Sequence, residues 1–242
     1  MGTYTTCLHA DEVLIDFAEF SGMDLGEIDS RIAGHKRANA DEFNSSPGPR
    51  EFYSGSEGYV FDLLASNRTR AAVVSKLESF LPGIMSAIES HPGRRFMEFG
   101  GGLGVFCQVV RERSGKEVTY VDVEGRVSQF ARWRLARRCP DVRALIVDQE
   151  RPELGGPYDV VFTDAVIEHL EPARQAKCAR MLSDTVAPGG LLFMLVDLGG
   201  HEPDMPMHFD VDPAALFRAL ESGGLAKVLA NGEFATVWRR PA

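Results

Sequence analysis

Four carboxylates stand at or beside the ends of short apolar runs: Glu98 after Arg95-Phe96-Met97, Asp122 near the end of the run from Glu117 to Val123, Asp148 after Ala144-Leu145-Ile146-Val147, and Asp164 after the run from Tyr158 to Thr163. Carboxylates so placed can hold a ligand's ammonium, accept hydrogen bonds from ribose hydroxyls or an amine, or take up a proton. Directly after Glu98 comes Gly100-Gly101-Gly102-Leu103-Gly104, followed by the helical run Val105 to Val110. A strand, a glycine turn and a helix in that order let backbone approach a ligand closely, and an adenosine-type cofactor is expected on the turn. The dinucleotide fingerprint G-x-G-x-x-G is not met, because the sixth position from Gly100 is Val105. Glu98 would also repel a pyrophosphate, whereas it would attract an ammonium or sulfonium. The alternative for the glycines alone is a turn that only packs tightly.

Asp122 lies about twenty residues beyond the glycine turn, the spacing at which an acid on the second strand meets a ribose; Val123 lies beside it and Glu124 is the reserve. Asp148 and Gln149, after the third run, are placed to meet an adenine amino group, with a turn or cap role as the alternative for Asp148. The fourth run leads into Asp164-Ala165-Val166-Ile167-Glu168-His169-Leu170. With its E/D-x-G-x-G-x-G turn, acidic second strand and D-x-x-E-H-L segment, the chain resembles the class I S-adenosylmethionine-dependent methyltransferases over roughly residues 90 to 240. The resemblance implies S-adenosyl-L-methionine as cofactor, held by Glu98, Gly100, Gly101, Gly102, Gly104, Asp122, Val123, Asp148, Gln149 and Asp164.

Displacement at a carbon on sulfonium sulfur needs alignment and exclusion of water, and a base only where the acceptor is protonated at neutral pH. Base candidates are His169, His208, Asp164 and Glu168, with a helix-start role as the alternative for His169. The aromatic-rich segment from Glu51 to Leu64 resembles the family's cover over the cofactor. Aromatic faces can hold a sulfonium, and Tyr53 and Tyr59 are the expected acceptor-orienting phenols, whereas Phe52 and Phe61 fit packing between extension and core. His208 lies in the acceptor-side segment His201 to Asp210, where Asp197 and His201 have weaker claims. Two prolines and irregular spacing there argue against a metal.

The elements that must position these residues form an α/β fold: a three-layer Rossmann-like sheet of seven strands. Ala187-Pro188-Gly189-Gly190 reads as a turn feeding the fifth strand, Leu191 to Asp197, and Asp212-Pro213 start a helix that stops at Gly223-Gly224. Leu225 to Ala230 and Phe234 to Trp238 read as an antiparallel terminal hairpin around Asn231-Gly232, a feature that an all-parallel dehydrogenase sheet lacks. Residues 1–90 read as an N-terminal helical extension, expected to dock as a lid over the carboxyl edge of the sheet, and 91–242 as the cofactor-binding core. Apolar spacing predicts helices after the caps Asp11 and Asp24, a break at Asn44 to Pro49, and one further helical pattern through Val73 to Ile88. Arg126, Arg132, Arg134, Arg137 and Arg138 are expected on a solvated helix face.

The chain has 242 residues, 44% hydrophobic, enough for one large domain or a core with an extension. A formal net charge of −9 argues against nucleic acid and for a small-molecule substrate. Cys7, Cys107, Cys139 and Cys178 lack metal or redox spacing, and neither a leader pattern nor a spanning apolar run is seen, so a cytoplasmic enzyme with reduced thiols is expected. A monomer and a homodimer both remain open. The leading function is methyl transfer to a small metabolite in bacterial specialised metabolism. The alternatives are cyclisation of S-adenosylmethionine to azetidine-2-carboxylate or aminocarboxypropyl transfer, each releasing methylthioadenosine, and noncatalytic cofactor binding.

Overall fold

Five parallel strands lie at the centre of the computed structural model, which describes residues 11–149, 152–198, 206–232 and 234–242. Cys7 and His201 lie outside the described residues. The strands are β1 (Arg95–Phe99), β2 (Glu117–Val123), β3 (Arg143–Val147), β4 (Tyr158–Asp164) and β5 (Val186–Leu195); β6 (Ala226–Asn231) and β7 (Ala235–Arg239) follow. The order is β3-β2-β1-β4-β5-β7-β6, with β7 antiparallel to both neighbours, as the hairpin reading requires. The reversal between β1 and β4 opens a crevice at the strands' carboxyl ends, where ligands bind in such sheets.

Alternate strand residues feed two apolar layers. Phe96, Val160, Phe162 and Phe193 face helices α7 (Val105–Ser114) and α8 (Arg126–Arg138), while Met97, Val161, Leu192 and Trp238 face α9 (Pro172–Thr185) and α10 (Pro213–Ser222). Burial on both faces explains why the central strands carry near-continuous apolar runs. Asp212 starts α10, its Oδ1 accepting from the N–H groups of Ala214 and Ala215 at 2.9 and 3.1 Å.

Among the described residues six helices precede β1: α1 (Glu12–Ser21), α2 (Leu25–Ser45), α3 (Pro49–Gly55), α4 (Tyr59–Ser66), α5 (Arg70–Phe80) and α6 (Ile84–Ser90). Their apolar residues join the same layer as α7 and α8, with Phe17 edge-on to both Phe61 and Phe130 at 5.6 and 5.1 Å between centroids. Phe52 and Phe61 are buried, as expected of packing residues. Ser56 accepts from the N–H groups of Gly58 and Tyr59 and donates to Glu42, which fixes the start of α4 against α2.

Three expectations are corrected. The pattern from Val73 to Ile88 is two helices bent by 101°, because Pro82 and Gly83 interrupt the backbone ladder while the apolar spacing carries on across the break. Ala187 to Gly190 lies within β5 as a bulge: Tyr158 pairs with Val186 but Val160 with Leu191, so the extra residues loop out without ending the strand. The arginines of α8 only partly form a solvated face: Arg132, Arg137 and Arg138 are exposed, but Arg134 is not. Arg134 is buried against Asp16, Arg138 meets Asp16 from the other side, and Arg137 reaches Glu19, so this helix face receives α1.

Candidate active site

A cavity of about 1010 Å³ occupies the crevice, floored by the tips of β1, β2 and β4 and walled by α3, α4 and α5. The turn after β1 is anchored from below, the N–H groups of Gly100 and Gly101 both donating to Val121 O at 2.9 and 3.1 Å. An added Cβ would lie 2.2 Å from Val166 at Gly100, 2.5 Å from the Tyr120 ring at Gly101 and 2.9 Å from Leu135 at Gly104. These three glycines are therefore required by the protein's own packing. Gly102 differs: its φ of +52° disfavours a side chain, but a Cβ would meet only Leu63 at 3.5 Å, leaving backbone open to the cavity.

Two carboxylates frame this turn. Glu98 is buried, and its Oε2 has no hydrogen-bond partner among the described residues. Burial, reinforced by Asp164 and against the bond from Cys107, pushes its carboxyl up to about 8. Asp122 accepts at Oδ2 from Gly102 N–H (2.9 Å) and the Tyr120 hydroxyl (3.2 Å), and at Oδ1 from Val123 N–H (2.8 Å). Burial raises it to about 6 even against these bonds. Val123 and Gln149 line the cavity, whereas Asp148 does not: it is exposed on the rim, 3.8 Å from Arg50, and Arg174 bonds the Gln149 carbonyl beside it. Of the two residues expected at the adenine, Gln149 lies against the cavity and Asp148 stands outside it, at the end of β3.

At the tip of β4, Asp164 faces the cavity and pairs with Lys76 of α5 at 3.2 Å. Ala165 next to it holds φ +53°, a conformation costly for a residue with a Cβ, while its N–H donates to Leu195 O. The chain then enters a short 3-10 helix, Ile167–His169. His169 Nδ1 lies 2.6 Å from the Tyr53 hydroxyl and 3.3 Å from Met207 O. A carbonyl can only accept, so this contact calls for the proton on Nδ1, shared between both oxygens. Burial, with His208 adding to it, lowers His169 to about 3, which makes the ring a neutral positioning group and a poor base. Tyr53, Tyr59 and His208 surround it edge-on, with centroids 5.4, 6.3 and 4.6 Å away. His208 lines the cavity and has Asp197 behind its Nδ1 at 3.5 Å. Glu168 is not among the cavity-lining residues: it is fully buried, its Oε1 accepts from Asp197 N–H at 3.0 Å and ties the end of β5 to the loop after β4, and its Oε2 has no hydrogen-bond partner among the described residues.

A family profile described as a methyltransferase domain matches residues 97–192, the stretch from β1 through β5. That stretch is about two-fifths of the chain, and its match is consistent with the class I S-adenosylmethionine-dependent methyltransferases. It is 27% identical over 104 residues to a ribosomal protein L11 methyltransferase from Ralstonia pickettii (strain 12J), covering 43% of this chain and about a third (32%) of that relative's length. Among solved structures it is similar to an O-methyltransferase family protein from Burkholderia thailandensis, with TM-score 0.60 and 16% identity over 88% of this chain and 71% of that one. It is also similar to NcsB1, an O-methyltransferase from neocarzinostatin biosynthesis in complex with S-adenosylmethionine and 2-hydroxy-5-methyl naphthoic acid, with TM-score 0.57 and 16% identity over 87% and 70% of the two chains. At these identities the structural likeness is one of fold.

The part of the site contributed from outside the matched stretch was the least visible in sequence. Lys76 sits in a helix with no motif around it, and only the fold brings it to Asp164. Asp62, in the aromatic segment, lines the cavity with its Oδ1 2.9 Å from His35 Nε2; burial raises its carboxyl while His35 opposes the rise. Its position one turn beyond Tyr59 was the available signal. Among the described residues, no group of three or more His, Cys, Asp or Glu is arranged to hold a metal ion.

Proposed function

We propose that this chain transfers the methyl group of S-adenosylmethionine to a nucleophilic atom of a small molecule, in specialised biosynthesis in the cytoplasm. The observation that carries this reading is one cavity that joins a buried carboxylate oxygen without a partner, Glu98 Oε2, to an aromatic wall of Tyr53, Tyr59 and His169. The cofactor fits that pairing: a buried carboxylate needs a cation, and aromatic faces accept one. The open backbone at Gly102 and the acid beside it suit a ribose.

When bound, S-adenosylmethionine supplies an electrophilic methyl carbon on a positively charged sulfur. Glu98 would take the ammonium and Asp122 the ribose hydroxyls, with Val123 and Gln149 beside the base. The rings of Tyr53 and Tyr59 exclude water from the acceptor and so raise the reactivity of its lone pair. With His169 donating from Nδ1, the Tyr53 hydroxyl keeps its own hydrogen to orient the acceptor. For an acceptor that is protonated at neutral pH, His208 receives the proton and Asp197 stabilises the resulting cation. A cavity of about 1010 Å³ accommodates both the cofactor and a small acceptor, and the small aromatic acid bound by NcsB1 supports that class of acceptor.

Incubation with S-adenosylmethionine and a panel of small phenols, carboxylic acids and amines tests the proposal. S-adenosylhomocysteine together with a methylated acceptor is the expected result. Methylthioadenosine in its place would move the chemistry to the neighbouring carbon, and cofactor binding without any turnover would refute catalysis.

A further inference from the structure

The amino-acid end of the cofactor is a zwitterion, so a site that recognises it needs a cation for the carboxylate as well as an anion for the ammonium. Glu98 supplies the anion. The lysine and arginine side chains among the described cavity-lining residues are Arg50, Lys76, Arg174 and Lys177. Arg50 and Arg174 are engaged at the end of β3, with Asp148 and the Gln149 carbonyl, and Lys177 projects from the same helix as Arg174, so this group lies on the adenine side. Lys76 stands apart, on α5 above the tip of β4, with its Nζ 3.2 Å from Asp164 Oδ2. Asp164 is in turn one of the charges that acts on Glu98, which puts Lys76 at the glycine-turn end of the cavity.

Resting on the cofactor reading above, we propose that Lys76 is the cofactor's carboxylate receptor and that its ion pair with Asp164 holds the ammonium group of the lysine in place until the carboxylate arrives. Charge balance supports the assignment. With Glu98 protonated, the empty cavity holds Asp164⁻ and Lys76⁺ and is neutral at this end. S-adenosylmethionine brings sulfonium and ammonium against one carboxylate, a net charge of +1, and ionisation of Glu98 with release of its proton to solvent restores neutrality. Were Lys76 absent, the cofactor carboxylate would lie near Glu98 and Asp164 with no cation from the protein at this end to offset them, at a site where burial weakens screening. The side chain of Lys76 is about one-third exposed, 34%, so its aliphatic stem is not a core element and its replacement leaves the fold intact.

Calorimetric titration of the full chain with three probes separates this role from a general one. The probes are S-adenosylhomocysteine, its decarboxylated analogue 5′-(3-aminopropylthio)-5′-deoxyadenosine, and its deaminated analogue 5′-(3-carboxypropylthio)-5′-deoxyadenosine. Lys76→Met is expected to weaken S-adenosylhomocysteine and the carboxylate-bearing analogue by about 10-fold or more, the size of a lost charge-assisted hydrogen bond. It is expected to leave the decarboxylated analogue within about 2-fold of wild type, and Lys76→Arg is expected to recover most of the loss. Glu98→Gln should show the mirror pattern, weakening the two amine-bearing probes. Equal loss on all three probes in Lys76→Met, or none on any, overturns the assignment while the cofactor reading stands. No binding of any probe to the wild-type chain overturns both.

Discussion

Arg134 on α8 and Asp16 on α1 form a buried ion pair across 118 residues of chain, with Arg134 Nε 3.0 Å from Asp16 Oδ2 and side-chain exposures of 1% and 4%. Arg134 also donates to Gln108 Oε1 at 2.5 Å, and Arg138 meets the same aspartate from the solvent side. Two charges removed from water are tolerated because each is held by more than one partner. The pair bolts the first helix to the helix that follows the second strand, and through it the N-terminal helices to the sheet. Asp16→Ala leaves Arg134 buried with its charge uncompensated and is expected to cost about 3–5 kcal/mol of stability. Chemical denaturation measures this; a loss below about 1 kcal/mol would show that water or a rearranged arginine replaces the aspartate.

The glycine turn separates packing from ligand approach. Gly101→Ala drives a methyl group into the Tyr120 ring and is expected to lower the melting temperature sharply, with cofactor affinity lost as a consequence. Gly102→Ala meets no such clash and is expected to cost about 1–2 kcal/mol from its left-handed backbone alone, while weakening S-adenosylhomocysteine beyond that because the methyl group intrudes on the cavity side. Thermal unfolding and calorimetry on both variants check the contrast, and unchanged affinity in a folded Gly102→Ala protein would remove this glycine from the cofactor strip.

Asp122 joins the turn to the proposed sugar site. Asp122→Asn keeps the acceptor oxygen for one backbone N–H but loses the charge, and is expected to weaken S-adenosylhomocysteine by roughly 1–3 kcal/mol. Full affinity in that variant would pass the role to Glu124, which is engaged on the surface with Arg132.

Stability should depend on pH in a direction set by Glu98. The unfolded chain ionises this carboxyl near its ordinary value of 4.5, whereas the folded chain keeps the proton to about 8. Between those values the folded state binds more protons, so stability falls as pH rises across that interval. Glu168, raised to about 7, and Asp122, raised to about 6, act in the same direction. Glu98→Gln should flatten the fall in melting temperature across the same interval, and parallel wild-type and variant profiles would exclude Glu98 as its source. Binding of S-adenosylmethionine near neutral pH should release about one proton, visible as buffer-dependent binding heat.

His208 and His169 are expected to separate in function. With an acceptor in hand, His208→Gln should lower kcat by about 10²-fold or more for a hydroxyl acceptor while leaving S-adenosylhomocysteine affinity near wild type. Tyr53→Phe removes the hydroxyl beside His169 and should raise KM and lower kcat together. If His169→Gln abolished turnover with both binding constants unchanged, the base assignment would move from His208 to His169.

Local pattern determined much of this protein. The strand runs, the turn from Gly100 to Gly104, the acid at Asp122 and the Asn231-Gly232 hairpin each depend on neighbours a few residues away, so their register could be read directly from spacing. Tertiary structure decided the rest, because it depends on groups far apart in the chain. Only the packed fold shows that Gly100, Gly101 and Gly104 serve Val166, Tyr120 and Leu135, that the arginines of α8 receive α1, that Asp148 stands outside the cavity, and that Lys76 meets Asp164 across 88 residues. A side chain's burial and its charge partner are set by three-dimensional neighbours, and those set its ionisation: the lowered basicity of His169 and the raised carboxyl of Glu98 exist only once the chain has closed around them.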